Sequence, residues 1–470
     1  MIMKAKELLN MGYKQGPIIG KLLRACQKAK DTNWCDESSC KTIVRDLFNR
    51  PEVFENHPVF NDIAKDLIEE RNPQNTYDFT DKEFEVWGEN NIDDGTFKQM
   101  QYAMQLPISI RGALMADAHI GYSLPIGGVV ATKGAVVPGF VGADIACRMM
   151  LSIIRIPESL DYIETYEDEI IKAIEKETRF GMGSEFQDSD RRQHEVMDED
   201  WGITEITAQL KDSAWNQLGS SGGGNHFVDI GTIRFKKQFD ITHTVCIPMG
   251  QYFAILTHSG SRGAGNKVAT HYSKLAQSLH PKIPQKYKHL SWLDMDSEAG
   301  QEYWAAMELM GRYASASHHL IHEYLLKRLQ LEPIFQVENH HNFAFKEIYN
   351  GEELIVHRKG ATPASKGVLG IIPGSMATPG YLVEGKGNEQ SLNSASHGAG
   401  RAMSRTKTKE QTTWHEVKKM LERRGIHLMS AGLDEVPVGY KDINQVMEDQ
   451  KDLVEVLARF EPKIVKMAEE

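Results

Sequence analysis

The sequence predicts an α+β fold: one large mixed α/β domain over residues 76–470, with glycine-rich loops at its strand ends, preceded by a helical N-terminal segment over residues 1–75. Three observations carry this expectation. Residues 1 to about 75 mix charged and apolar residues in a helical texture ("AKELLNMGYKQGPIIGKLLRACQKAK"). From about residue 98 the texture changes to short runs rich in Val and Ile, punctuated by glycines. Longer helical stretches interrupt those runs.

In chain order, the polar run "RNPQNTYDFTDKE" reads as the linker after the helical segment. Strands ending in tight turns are expected in "GGVVATKGAVVPGFVG", "MMLSIIRI", "YFAILTHSGSRG", "PIFQVENHHN", "ELIVHRKG", "GVLGIIPGSM" and "YLVEGKG". Helices are expected over 160–178 and 201–218, joined by a polar loop. A third is expected over 298–330, where Tyr303, Met307, Met310, Ala314, Ile321 and Leu325 fall at roughly helical spacing. The C-terminal part, 408–470, again reads as mostly helical. No internal repeat or low-complexity tract is visible.

Composition sets the bounds. With 470 residues, 41% hydrophobic and 25% charged, the chain has material for a sizeable core. A net charge of -11 excludes a protein coated all over with basic residues and leaves room for a local basic cleft. The five cysteines are Cys26, Cys35, Cys40, Cys147 and Cys246. Their odd number and low density, with no signal peptide visible, predict a reducing, cytoplasmic setting. Cys35 and Cys40 are expected to be free thiols, because no second pair completes a zinc site. The most apolar stretch is broken by Lys133, two prolines and many glycines, so no membrane span is expected.

The chemistry-bearing residues share one context. His226 ("GGGNHF"), His258 ("THSGSRG"), His340 and His341 ("ENHHN"), His397 ("SASHGAGR"), and Asp144 with Cys147 ("GADIACRM") all stand at a strand edge or in a turn of small residues. Functional side chains collect on such loops. Imidazoles, a carboxylate and a thiolate together suit a borderline metal such as zinc, cobalt or manganese. Any one such histidine is more often a hydrogen-bonded surface residue; the joint pattern is stronger. His318 and His322 have metal-binding spacing on a probable helix, but no Glu follows His318 as in HExxH, so they read as helix-face residues.

A second constellation is directed at phosphate. Arg262 lies four residues after His258, and Arg401 four after His397, with Arg405 and Lys407 beyond. Arginine binds phosphate through a planar fork of donors. "SGGGN" and "PGSM" offer backbone N–H nests. No P-loop or dinucleotide fingerprint is present. Residues alone therefore indicate a metal-dependent enzyme acting on phosphorylated substrates, and a metallophosphatase satisfies that much.

The motifs "DAHIGYSLPIGGV", "VGADIACRM", "GGGNHF", "HSGSRG", "ENHHN", "RKGATPA", "IIPGSMATPGYLVEGKGN", "SASHGAGRAMSR" and "YKDI" resemble, in order, those of the RtcB family of GTP-dependent RNA-splicing ligases. The resemblance covers roughly residues 98–470. It implies an RNA ligase that joins 3′-phosphate or 2′,3′-cyclic phosphate ends to 5′-hydroxyl ends in RNA repair or tRNA splicing. His397 would be the nucleophile that carries GMP. Two Mn²⁺ ions would sit at Asp144, Cys147, His226, His258 and His341, with Cys147 bridging; His341 matches the family's ligand better than His340. Asn225 would hold a GTP phosphate, and Asp229, Ser375, Tyr440 and Lys466 would frame the guanine. Arg262, Arg401 and Arg405 would hold RNA phosphates. Broken-ended RNA is the expected partner, an archease-type activator is a possible one, and a monomer is expected. The rivals are a metal-dependent phosphatase or cyclic phosphodiesterase acting on RNA ends, which would form no stable guanylylated protein, and an inactive RNA-binding relative.

One departure stands out. Ala146 and Arg148 occupy positions where the family usually has glycine. Arg148 either adds a cation beside the metal cluster, marking a branch with a different RNA end or target, or points into the structure and pairs with an acid.

Overall fold

The computed structural model describes residues 3–13, 17–32, 34–71, 77–156, 159–241 and 246–469. The chain divides into two compact units, Met1–Asp78 and Phe79–Glu470. The expected boundary between residues 75 and 76 lies outside the described residues, as does 72–76 of the expected linker.

The first unit is helical: Ala5–Asn10, Pro17–Asp31, Glu37–Asn49 and Asn61–Arg71. Leu22, Cys26, Cys40, Val44, Leu47, Phe60, Ile63 and Leu67 form its core. The carboxylate of Asp36 caps the third helix by accepting from the backbone N–H of Ser39. All five cysteines of the chain are free thiols.

The second unit is built on two sheets. The larger has eight strands. Seven run side by side in the order Phe335–His340, Arg148–Ile154, Gly250–Ser259, Phe227–Phe235, Val454–Met467, Gly380–Gly385 and Leu369–Ile372; His427–Ser430 pairs in parallel with Val454–Met467. The smaller sheet runs Glu85–Val86, Ser109–His119, Ile126–Thr132, Glu352–Lys359 and Asn342–Tyr349. The long helix Glu298–Leu329 packs Tyr303, Met307, Met310 and Ala314 into one core and Ile321 and Leu325 into another. The expected helices appear as Ser159–Thr165 with Glu167–Glu177, and as Glu205–Gln217.

Topology brings the candidate residues to one place. The segment from 335 to 349 pairs in the large sheet up to His340 and in the small sheet from Asn342 onward, so His341 sits where the chain changes sheets. In the large sheet Arg148 is opposite Ser259, and Phe227 is opposite His258. Cys147, His226 and His258 therefore stand at the same edge of three neighbouring strands.

The C-terminal expectation needs correction. Two short helices, Arg405–Gln411 and Trp414–Arg423, and a third, Ile443–Asp449, are present. Residues Val454–Met467, however, form a 14-residue strand in the middle of the large sheet. Pro462 cannot sit inside a helix, and here it falls at a register shift against Gly231 and Ile230. Alternate residues Ala458 and Phe460 are buried, the period of a strand.

Candidate active site

His397 follows the short strand Ser394–Ser396, which pairs with Ala361–Pro363. Its Nδ1 lies 2.7 Å from Asp117 Oδ2, and the backbone N–H groups of His397 and Gly398 reach the same oxygen at 3.1 and 3.2 Å. An ionised carboxylate only accepts, so Nδ1 carries a proton, and in the neutral ring Nε2 is then the nitrogen with the lone pair. Burial alone would raise Asp117, but the charge and hydrogen bond of His397, with His119 and Lys441 nearby, hold its carboxyl below the ordinary range. Sequence reasoning missed Asp117. Its signal was present: it stands at a strand end in "DAHIGY", the context that marked the other candidates.

The expected metal ligands converge. Donor atoms of Cys147, His258 and His341 lie within 4.8 Å of one another, as do those of Asp144, Cys147 and His226. Cys147 Sγ is 3.1 Å from His258 Nε2 and 3.4 Å from His226 Nε2. His258 Nε2 is 3.2 Å from His341 Nε2, and His226 Nε2 is 3.0 Å from Asp144 Oδ2. The Nδ1 of His258 donates to the Asn225 carbonyl at 3.0 Å, which leaves its Nε2 as a lone pair facing the thiol. Burial, then His226, pushes His258 down to about 3, so it is neutral. Burial, then Asp144, pushes the Cys147 thiol far up in the absence of a cation. Imidazoles, a carboxylate and one shared sulfur fit a site for divalent ions, whose charge favours the thiolate. The His397 ring centroid is 4.9 Å from that of His341, so the candidate nucleophile adjoins this cluster.

Two glycines make the cluster possible. A Cβ added at Gly260 would lie 2.0 Å from Asp144 Oδ1, and one at Gly222 would lie 1.8 Å from His226 Nδ1. Asn342 braces the loop: its side chain donates to the Asp144 carbonyl at 3.2 Å, and its carbonyl accepts from the Ala146 N–H at 2.7 Å. Ala146 itself has φ +57°, the left-handed region that favours glycine.

Arg148 points into the structure. It is buried, with Nη1 2.8 Å from Glu338 Oε2 and Nη2 donating to the Gly311 carbonyl at 3.1 Å. Burial alone would raise Glu338; the His319 hydrogen bond and the Arg148 charge outweigh it and hold that carboxyl far down. His340 turns away as well and stacks on Phe345. His318 and His322 are buried on the long helix and share the Thr257 hydroxyl at 2.7 and 2.9 Å.

A cleft of about 720 Å³ opens beside His397 and is lined by His258, Asn225, Asp229, Ser375, Arg401, Arg405, Lys407 and Tyr440. That volume suits a nucleotide-sized ligand. Asp229 is buried with Oδ1 unpartnered, and burial pushes its carboxyl well above the ordinary range. Ser375 and Thr378 share a hydrogen bond between hydroxyls at 2.9 Å. Arg401 and Arg405 line the cleft, but both pair with Glu435 and Arg405 also with Asp434, acids some thirty residues on that sequence reasoning did not connect to them; Arg401 donates as well to the Asp434 backbone carbonyl at 2.8 Å. The Tyr440 hydroxyl donates to Glu435. Arg262 lies apart from the cleft lining, beside Gly222, with Nη2 held by the Gly181 carbonyl at 2.8 Å and Nε by the Ser220 hydroxyl at 3.0 Å.

Lys466, like Arg262, is an expected site residue that does not line the cleft. Its neighbours Val465 and Met467 line the cleft, so strand alternation turns Lys466 to the other face, where Nζ lies 3.2 Å from Thr178 Oγ1 and 5.5 Å from the Phe180 ring.

The model of the family described as tRNA-splicing ligase RtcB matches residues 99–467. RNA-splicing ligase RtcB of Escherichia coli K12 is 33% identical over 376 residues, covering 73% of this chain and 87% of that protein. tRNA-splicing ligase RtcB of Nanoarchaeum equitans is 30% identical over 441 residues, covering 79% and 91%. RNA-splicing ligase RtcB homolog 1 of Entamoeba histolytica is 26% identical over 549 residues, covering 97% and 99%. With the motifs, the convergent ligands and these relatives in agreement, the chain belongs to the RtcB family.

Proposed function

We propose that the chain is an RNA ligase of tRNA splicing or RNA repair, joining an RNA 3′-phosphate or 2′,3′-cyclic phosphate end to a 5′-hydroxyl end through a GMP–histidine intermediate on His397. The single observation that carries the mechanism is the Asp117–His397 pair beside the Cys147 cluster. Asp117 keeps the proton on Nδ1, so Nε2 is available to attack the α-phosphorus of GTP as pyrophosphate leaves. The same carboxylate balances the positive charge that the ring acquires when its second nitrogen is phosphorylated.

The residues of the Cys147 cluster would hold two divalent ions, Mn²⁺ in this reading. Such ions supply Lewis-acid polarisation of phosphoryl oxygens. Asn225, in the cleft wall, would face the nucleotide phosphates, and the unpartnered Oδ1 of Asp229 would take an N–H donor of the guanine. Ser375 and Tyr440 complete that wall. A cyclic phosphate is first opened by water to a 3′-phosphate. GMP then passes from His397 to the 3′-phosphate, and the 5′-hydroxyl oxygen attacks the activated phosphorus and releases GMP. Arg262, Arg401 and Arg405 are the cations for RNA phosphates; the last two would exchange acid partners for them. We place this activity in the cytoplasm, in a monomer, with an archease-type protein as a candidate activator. Among the described residues no helix is long and apolar enough to cross a membrane.

The test is covalent labelling with α-labelled GTP and Mn²⁺. Wild type should retain label through denaturation and His397→Ala should not; equal label in both would remove His397 from its role. A phosphatase or phosphodiesterase on the same ligands would retain none in either.

A further inference from the structure

We propose that Tyr122 and His289 form a stacking platform that receives a base of a single-stranded RNA end beside the cleft. The proposal rests on the ligase reading above and adds a subsite to it. The loop after strand Ser109–His119 exposes two large apolar side chains: Ile120 is 58% exposed and Tyr122 71%. Ile120 lines the same cleft as His397, and Tyr122 lies two residues beyond it.

The loop is held firmly. Lys359 Nζ donates to the Tyr122 carbonyl, the Ser123 hydroxyl donates to the His289 carbonyl at 2.8 Å, and the Tyr122 hydroxyl lies 3.1 Å from His289 Nδ1. The two rings stand 4.9 Å apart at 52°. Both aromatic side chains are exposed yet anchored. They are preorganised surface for a flat ligand.

Charge identifies the occupant. In a chain of net charge -11, residues 241–293 contain no Asp or Glu and carry Arg262, Lys267, Lys274, Lys282, Lys286 and Lys288. Lys282, Lys286, Lys288 and His289 are exposed. Exposed aromatic rings with lysines close by in sequence, on a loop whose Ile120 lines the phosphate-directed cleft, are the elements of a single-strand nucleic-acid surface: bases stack and the backbone is neutralised.

The experiment uses the full chain and two readouts. Fluorescence anisotropy measures binding of a labelled single-stranded RNA ending in a 3′-phosphate, without GTP; guanylylation is measured separately, without RNA. Tyr122→Ala should weaken RNA binding roughly 5- to 150-fold, the range for losing one stacked base. Tyr122→Phe, which keeps the ring and loses the hydroxyl, should bind within about 3-fold of wild type by the same stacking argument. Both should guanylylate as wild type does. Unchanged RNA affinity in Tyr122→Ala overturns the platform. So does an equal loss in the Ala and Phe variants, which would assign the effect to the hydroxyl. Absence of guanylylation in wild type would strike at the ligase reading and leave the binding result to decide the platform by itself.

Discussion

Replacing Asp117 by Asn tests the centre of the mechanism. Three N–H groups converge on Asp117 Oδ2, at 2.7, 3.1 and 3.2 Å, while Oδ1 is buried and unpartnered. The amide oxygen of Asn can replace Oδ2 and keep all three bonds, with its NH₂ in the unpartnered position. The tautomer and ring position of His397 therefore survive, and what disappears is the negative charge. Between a full charge on the carboxylate and one developing on the ring, about 4 Å away at an effective dielectric of about 20, the lost attraction is about 4 kcal/mol. That corresponds to roughly a thousandfold slower guanylylation. The buried NH₂ adds about 1–3 kcal/mol of destabilisation, measurable as a lower Tm. Single-turnover labelling with α-labelled GTP and Mn²⁺ reads the rate, and circular dichroism confirms the fold. A folded Asp117→Asn protein that labels within about threefold of wild type would refute the electrostatic role, because threefold is well under 1 kcal/mol.

Two further outcomes follow from buried charge. Arg148→Met strips Glu338 of its guanidinium partner and should cost about 2–3 kcal/mol, less than a fully buried pair because the Glu338 side chain is 30% exposed. Adding Glu338→Gln should restore much of this in thermal unfolding, with metal content unchanged; metal loss without a fall in Tm would place Arg148 at the metal site instead. His357, with Nε2 accepting from the Val137 N–H at 2.9 Å, is pushed down to about 4 by burial. The unfolded chain then binds the extra proton between about pH 6.5 and 4, so stability falls across that window as pH drops, by about 3 kcal/mol for this residue. Tm measured against pH on metal-free protein should show the fall, and His357→Gln should flatten it; an equally steep acid limb in the variant would count against this assignment.

Much of the site was legible from local sequence. Asp144, Cys147, His226, His258, His341 and His397 were picked out because each stands among small residues at a strand edge, and that context is written in immediate neighbours. The structure gives the reason at Gly222 and Gly260, where any side chain would occupy the space of His226 or Asp144. The long helix was legible as well, because its buried residues recur at its own period.

What sequence alone determined, then, was the local vocabulary: helical N-terminal segment, glycine-ended strands and the small-residue setting of the histidines, Asp144 and Cys147. Tertiary structure decided the rest. Asp117 meets His397 across 280 residues, and Asp434 meets Arg405 across 29. Strand Val454–Met467 exists through its pairing with Phe227–Phe235 and Gly380–Gly385. That pairing turns Lys466 away from the cleft. Arg148 faces Glu338 because strands Arg148–Ile154 and Phe335–His340 lie side by side. Periodicity and turn chemistry depend on residues a few positions apart and can be read along the chain. Ion pairs, tautomers and the face a strand presents depend on which distant segment becomes the neighbour, and only the folded packing sets that.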